Sequence, residues 1–175
     1  MLTVDEAILS RRSVRGYLLT PVPHEAVEHI LQVARRAPSG TNTQPWKVHV
    51  LTGIALKGLS DAVLGAFYND TDQHRNDRTH YLDKWRDPYL ARRRKVGWDL
   101  YDLVGIKKGD REKTKSFHAK NFSFFGAPVG MIFTIDQDMG WMSWLDYGMF
   151  LQNICIVARG QGLHTCAQAS WGTYH

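Results

Sequence analysis

The sequence predicts an α+β domain, a sheet with helices packed on it. Three patterns carry that reading. Apolar residues recur at helical spacing through His24–Ala37, residues alternate at Trp46–Val50, and a continuous apolar run at Ala127–Ile135 precedes a second long helical segment. At 175 residues, 43% hydrophobic and 22% charged, the chain has the size and composition of one soluble globular domain. Residues 1–175 are therefore expected to form a single domain, with a basic, aromatic-containing excursion at about 68–120.

Thr3–Ser10 reads as a helix opened by a capping box, with Thr3 as N-cap and Glu6 three residues on. Arg11–Arg15 follows just beyond its end. In His24–Ala37 the residues Val27, Ile30, Leu31 and Ala34 fall at i, i+3, i+4 and i+7, and Pro38, Ser39 and Gly40 stop the helix. The next stretch, "RAPSGTNTQPW" (Arg36–Trp46), is longer and more polar than the two to six residues such a connection needs. It is a candidate binding loop.

Trp46, Val48 and Val50 then alternate with Lys47 and His49 as in a half-buried strand. Ile54–Phe67 is weakly helical, because two glycines interrupt it. Residues 74–120 carry 14 Lys/Arg against 7 Asp/Glu with aromatic residues among them, a partly helical excursion or a mobile cover over a site. Ala127–Ile135 suits a buried central strand. Ser143 opens a helix through Arg159, with Asp146 in the first turn where the helix dipole favours an acid, and Gly160 and Gly162 end it.

A net charge of +5 and a pI near 9.3 admit nucleic acid, a membrane surface or a phosphorylated ligand. The opening "MLTVDEAILSRR" has acids where a signal peptide needs a basic start, and no run of eighteen apolar residues occurs. The cytoplasm is the expected location, with no membrane partner. Two cysteines without CxxC spacing and eight scattered histidines without HExxH give no metal site. Any catalysis then calls for an organic cofactor.

Three segments could carry chemistry, and each has a plain structural alternative. In "RRSVR" an extended backbone would put Arg11, Ser13 and Arg15 on one side, where forked donors and a hydroxyl grip a phosphate. The same residues equally suit a solvated helix end. In "PSGTNTQPW", Asn42 and Gln44 match the edge of a heterocycle or satisfy the turn's own backbone. The small residues of "GLHTCAQASW" admit a flat ligand or a tightly packed strand.

The order of "RRSVRGY", "ARRAPSGTNTQPWKVHVLTG", "FFGAPVGMIFTID" and "GMFLQNICIVARGQGLHTCAQASW" resembles the nitroreductase family of flavin enzymes. That resemblance implies a homodimeric fold, a central, mostly antiparallel sheet flanked by helices, and FMN at the dimer interface. It also implies a two-step, ping-pong oxidoreductase: NADH or NADPH gives a hydride to flavin N5 and leaves, and a nitroaromatic, quinone-like or related small acceptor takes the electrons. No side chain need act as catalyst, since the flavin does the chemistry.

By the same resemblance, Arg11, Arg12 and Ser13 hold the FMN phosphate and Arg15 lies beside the N1 and C2 carbonyl edge, where a cation stabilises reduced flavin. Pro38, Ser39, Gly40 and Asn42 match the loop against the flavin and ribityl chain, commonly reaching a partner subunit's site. Gln44 belongs to that loop or secures it. Asn121, with Lys120 the neighbouring choice, lies near the pyrimidine, and Gln168, Ala169 and Ser170 match the segment facing N5. Trp85, Trp98 and Tyr101 are expected to cover the flavin and shape the acceptor pocket, or to anchor a surface helical pair.

Two other readings compete: a flavin-binding protein without turnover, and a nucleic-acid binder using residues 74–120. Seven interrupting acids and the lack of a known module weigh against nucleic acid. Family members usually continue some tens of residues past "ASWGTYH" with a further strand and a basic phosphate contact, so the resemblance also implies a truncated form or a fragment.

Overall fold

The computed structural model describes residues 2–75 and 82–174; the part of the basic excursion at 76–81 lies outside the described residues. Its elements in order are α1 (Val4–Ser10), α2 (His24–Ala34), β1 (Lys47–Thr52), α3 (Gly53–Asn69), α4 (Tyr89–Leu103), α5 (Arg111–Ala119), β2 (Val129–Thr134) and α6 (Trp141–Gly160). They fall into two compact units, one running up to Leu59 and including Phe125–Ala167, the other comprising Ser60–Phe124 and the residues from Gln168 on.

In the first unit β1 and β2 pair antiparallel, from Lys47 opposite Thr134 to Thr52 opposite Val129. The core is made by Ile30 and Ala34 of α2, Ala37 just beyond it, and Phe150, Ile154 and Ala158 of α6. Alanines at the α2–α6 contact remove the bulk that would hold the helices apart. Trp46 stacks on Phe150 with ring centroids 4.8 Å apart and planes 8° from parallel, which ties the start of β1 to α6. Burying a side chain such as Phe150 contributes roughly 1.5–3 kcal/mol. Asn153 Nδ2 donates to the Ala34 carbonyl at 3.3 Å, one of the α2 carbonyls that has no partner inside its own helix.

Tyr147 closes the end of the sheet. Its hydroxyl lies 3.0 Å from both the Lys47 and the Thr134 carbonyl oxygens, two residues paired across the strands. Burial pushes its phenol up to about 12.

Two boundaries and the burial of one strand differ from the sequence reading. α2 ends at Ala34, three residues early, because Arg35 and Arg36 enter a turn that still delivers Ala37 to the core. α6 begins at Trp141 behind Gly140, two residues early, so Asp146 lies beyond the first turn. β2 is half-buried over most of its length and not a fully covered strand, because the sheet among the described residues has two strands. α3 is continuous through Gly58 and Gly65; a Cβ at either would meet nothing within 4 Å.

The second unit holds an aromatic cluster. Phe122 packs on Phe67, Trp171 and Tyr174 at 5.2, 5.6 and 5.0 Å, and Phe124 stacks on Trp171 at 4.4 Å. α4 carries Arg92, Arg93, Arg94 and Lys95 and buries none of its residues. Tyr101 joins α4 to α5: its ring meets Phe117 edge-on at 6.3 Å and its hydroxyl lies 3.0 Å from His118 Nε2. Trp98 packs edge-on against Tyr101 at 6.1 Å, and the Arg93 guanidinium lies 4.9 Å over the Trp85 ring. Of these contacts, those of Tyr101 with Phe117 and His118 join the two helices.

Candidate functional site

The arginine segment starts where α1 stops. Thr3 Oγ1 accepts the Glu6 N–H at 3.2 Å while the Glu6 carboxylate accepts the Thr3 N–H at 2.8 Å, so the predicted capping box is formed. The Thr3 backbone bond, aided by its hydroxyl, holds the Glu6 carboxyl below its ordinary range. At the other end Ser10 Oγ accepts from Arg159 Nε of α6 at 2.9 Å, and Arg11 turns extended. Ser13 then bridges in parallel to Thr165, with the Val14 N–H donating to the Thr165 carbonyl at 3.2 Å.

Extended backbone is the condition for Arg11, Ser13 and Arg15 to share a side. One neighbour fits it: the Cys166 thiol is pushed up by burial, and the charges of both Arg15 and Arg11 oppose that shift. Burial likewise raises the Tyr17 phenol to about 12, against a smaller opposing pull from Arg15. The Arg15 guanidinium also lies 5.8 Å over the Phe125 ring and donates to the Ser13 carbonyl at 3.3 Å. Among the described residues no carboxylate pairs with Arg11, Arg12 or Arg15. Their positive charge is available to a ligand.

The polar loop is held in a demanding conformation. Thr41, Asn42 and Gln44 have φ of 51°, 59° and 48°, left-handed values that cost a non-glycine residue roughly 1–2 kcal/mol each. Local bonds offset part of that cost: Gln44 N–H donates to Ser39 Oγ at 3.0 Å, and Asn42 N–H to the Ser39 carbonyl at 2.9 Å. The long-range restraint is Asp146, buried in α6, whose Oδ2 accepts the Gly40 N–H at 3.0 Å. Ser39 and the Gln44 backbone therefore secure the loop, with Gln44 Nε2 only 3.5 Å from the Asn42 carbonyl. Pro38, Gly40 and Asn42 are exposed, and the Asn42 side chain makes no hydrogen bond to a described residue.

On the second unit, Asn121 Nδ2 donates to the His118 carbonyl at 2.9 Å, and Gln168 Oε1 accepts from Trp171 Nε1 at 3.0 Å. Ala169 is exposed at the head of the Ser170–Thr173 turn. The Ser170 hydroxyl is buried without a hydrogen-bond partner among the described residues, a deficit of about 1–3 kcal/mol unless another group meets it. Arg11, Arg12, Ser13, Arg15 and the Pro38–Gln44 loop thus belong to one unit, and Asn121, Gln168, Ala169 and Ser170 to the other.

Sequence reasoning missed Asp146 as the restraint on the loop and Thr165 as the partner of Ser13. A lone acid inside the apolar stretch "WLDYGMF" was the available signal for the first; nothing local marks the second. Among the described residues no group of three or more His, Cys, Asp or Glu could hold a metal ion, and no helix is long and apolar enough to cross a membrane.

A small antiparallel sheet under helices, with uncompensated arginines at the end of the first helix, defines an α+β protein equipped to take an anion. The chain matches the nitroreductase family model over residues 8–174 and belongs to that family. It is 44% identical over 170 residues to a 4-nitrobenzoate reductase of Pseudomonas putida, covering 97% of this chain and 74% of that one. It is 38% identical over 172 residues to a chloronitrobenzene nitroreductase of Comamonas testosteroni, covering 98% and 76%. The crystal structure of an FMN and NADPH-dependent nitroreductase from Sphigopyxis sp. strain HMH matches with a TM-score of 0.95 at 34% identity, over 99% of this chain and 78% of that one. The family and fold expected from the four motifs are borne out.

Proposed function

We propose that the protein is an FMN-dependent oxidoreductase that uses NADPH or NADH to reduce nitroaromatic compounds. The observation that carries this is the Arg11–Arg12–Ser13 segment, extended beside Thr165 and without a carboxylate partner among the described residues. The Arg11 guanidinium and the Ser13 hydroxyl, which extended backbone puts on one side, are donors suited to a terminal phosphate, and Arg12 adds positive charge next to them in the chain. The unpartnered Ser170 hydroxyl and the free Asn42 amide add polar atoms that a flavin could satisfy. The residues present fit FMN.

In this reading Arg11, Arg12 and Ser13 hold the phosphate, and Arg15 supplies positive charge for the reduced ring. Pro38, Ser39, Gly40 and Asn42 present a restrained loop to the cofactor, and Asn121, Gln168, Ala169 and Ser170 are the remaining residues of the proposal. Bound FMN supplies a two-part exchange, in which a hydride arrives from reduced nicotinamide and electrons pass on to a nitroaromatic or quinone-like acceptor after the donor has left. The protein's own part is to bind, orient and set the electrostatics.

A homodimer belongs to the same proposal. Leu9, Leu18, Leu19 and Trp141 of the first unit are 84%, 80%, 86% and 78% exposed, an unusual amount of large apolar surface to leave in water. A second copy of the chain is the partner that would cover it.

The test is an absorbance spectrum of the purified or FMN-reconstituted protein, followed by anaerobic titration with NADPH and NADH and then a nitroaromatic. The flavin band should bleach with nicotinamide and return with the acceptor. Failure to hold FMN under either condition overturns the reading, and bleaching without reoxidation by the nitroaromatic overturns its substrate. A monomer by light scattering that still holds stoichiometric FMN overturns the dimer.

A further inference from the structure

α5 presents a second pair of basic side chains, Arg111 and Lys115, that the flavin reading does not use. With His118 they lie at i, i+4 and i+7, on one face of the helix. Together with Phe67, Asp110 and Thr114 they line an open surface cavity of about 520 Å³ within the second unit, one wall of which is the half-buried Phe67. Like charges four residues apart on a helix repel one another, so this face is disfavoured until something negative joins it.

The acid in the lining is already committed. Asp110 caps α5 by accepting the Lys113 N–H at 3.1 Å, and its other oxygen lies 3.5 Å from Lys113 Nζ. Thr114 Oγ1 donates to the Asp110 carbonyl at 2.7 Å, and His118 Nε2 faces the Tyr101 hydroxyl. Lys115 and Arg111 make no ion pair with a described carboxylate.

Lys115 is nevertheless held in place by aromatic rings. Its ammonium lies 5.2 Å from the Tyr68 ring centroid and 5.8 Å from that of Phe67, two rings that meet edge-on at 5.1 Å. A cation fixed by ring faces has little conformational freedom left to lose when an anion arrives. The half-buried Phe67 supplies apolar surface in the same cavity.

We propose that this cavity binds a small aromatic carboxylate, with Lys115 and Arg111 taking the carboxylate and Phe67 the ring. One lining residue touches the proposed FMN set, since Asn121 Nδ2 donates to the His118 carbonyl at 2.9 Å, but Arg111, Lys115 and Phe67 are not among the proposed FMN residues.

Isothermal titration of the flavin-loaded protein with benzoate, and with benzamide as its neutral counterpart, tests the proposal. Benzoate should bind saturably in the millimolar range or tighter, and benzamide more weakly. Lys115→Met keeps the side-chain stem and removes the charge, so it should weaken benzoate by about tenfold or more. Lys115→Arg should retain binding, and the flavin content of both variants should match the parent. Any of three results overturns the inference: benzamide binding as tightly as benzoate, Lys115→Met binding unchanged, or inorganic phosphate competing as well as benzoate does. Benzoate bound elsewhere on the protein would survive Lys115→Met and so fall under the second.

Discussion

Asp146→Ala is the most informative single change, because one buried carboxylate oxygen is the long-range restraint on a strained loop. Asp146 is 5% exposed and accepts the Gly40 N–H at 3.0 Å across 106 residues of sequence. Removing the acceptor leaves that N–H unpaired. Gly40 is itself exposed, so water recovers part of the loss, and the cost should fall near the lower part of the range for an abandoned partner, about 1–2 kcal/mol. For a chain of this length that corresponds to a melting temperature lower by about 2–8 °C. Asp146→Asn keeps an oxygen acceptor but brings an NH2 that needs its own partner, so it should lie between parent and alanine. The loop restrained by Asp146 carries Pro38–Asn42, and the FMN dissociation constant should therefore rise in the alanine variant. Thermal unfolding and fluorescence titration with FMN read both effects. Asp146→Ala melting within about a degree of the parent, or Asp146→Asn falling further than Asp146→Ala, would refute the acceptor role.

Two further outcomes are expected. Arg11→Ala with Ser13→Ala should weaken FMN binding by about 3 kcal/mol, a little over a hundredfold, since charge-assisted bonds contribute roughly 1.5–3 kcal/mol each; unchanged affinity removes these residues from the phosphate site. Alkaline stability should report on Tyr147, whose phenol burial raises from 10 to about 12. The unfolded chain loses that proton first, so stability present below pH 10 is lost as pH rises towards 12, by at most about 2 kcal/mol for this group. Tyr147→Phe should make urea unfolding less steeply dependent on pH above 10, and an identical slope in the variant would contradict the assignment.

What could be read from the sequence is what is written within a few residues. Thr3 and Glu6 stand three apart and form the capping box, and Val27, Ile30 and Ala34 form the buried stripe of α2. The loop from Arg36 to Trp46 stood out by its length and polarity, and it proved to hold three left-handed residues. Long-range contacts leave no such trace. The pairings of Gly40 with Asp146, Ser13 with Thr165 and Ser10 with Arg159 join residues more than a hundred positions apart, and no period connects them. Asp146 was misread because a helix-start signal was sought at Ser143; once Trp141 is the first helical residue, that carboxylate lies beyond the terminal amides and reaches the loop. Arg35 and Arg36 are good helix formers, so residue preference alone carried α2 past its observed end.

The bridge from Ser13 to Thr165 also sets when the arginine segment can take shape. A ribosome releases Arg11–Arg15 early, but Thr165, to which Ser13 bridges, is 152 residues away, the difference between 165 and 13. At about 5–20 residues per second, that separation is on the order of ten to thirty seconds of synthesis. Throughout that interval the guanidiniums belong to a nascent chain without their neighbour, and β1 waits in the same way for β2. Closing so long a span is an entropic cost met before the contacts repay it. The segment expected to grip the cofactor thus waits for Thr165 before it takes its bridged form.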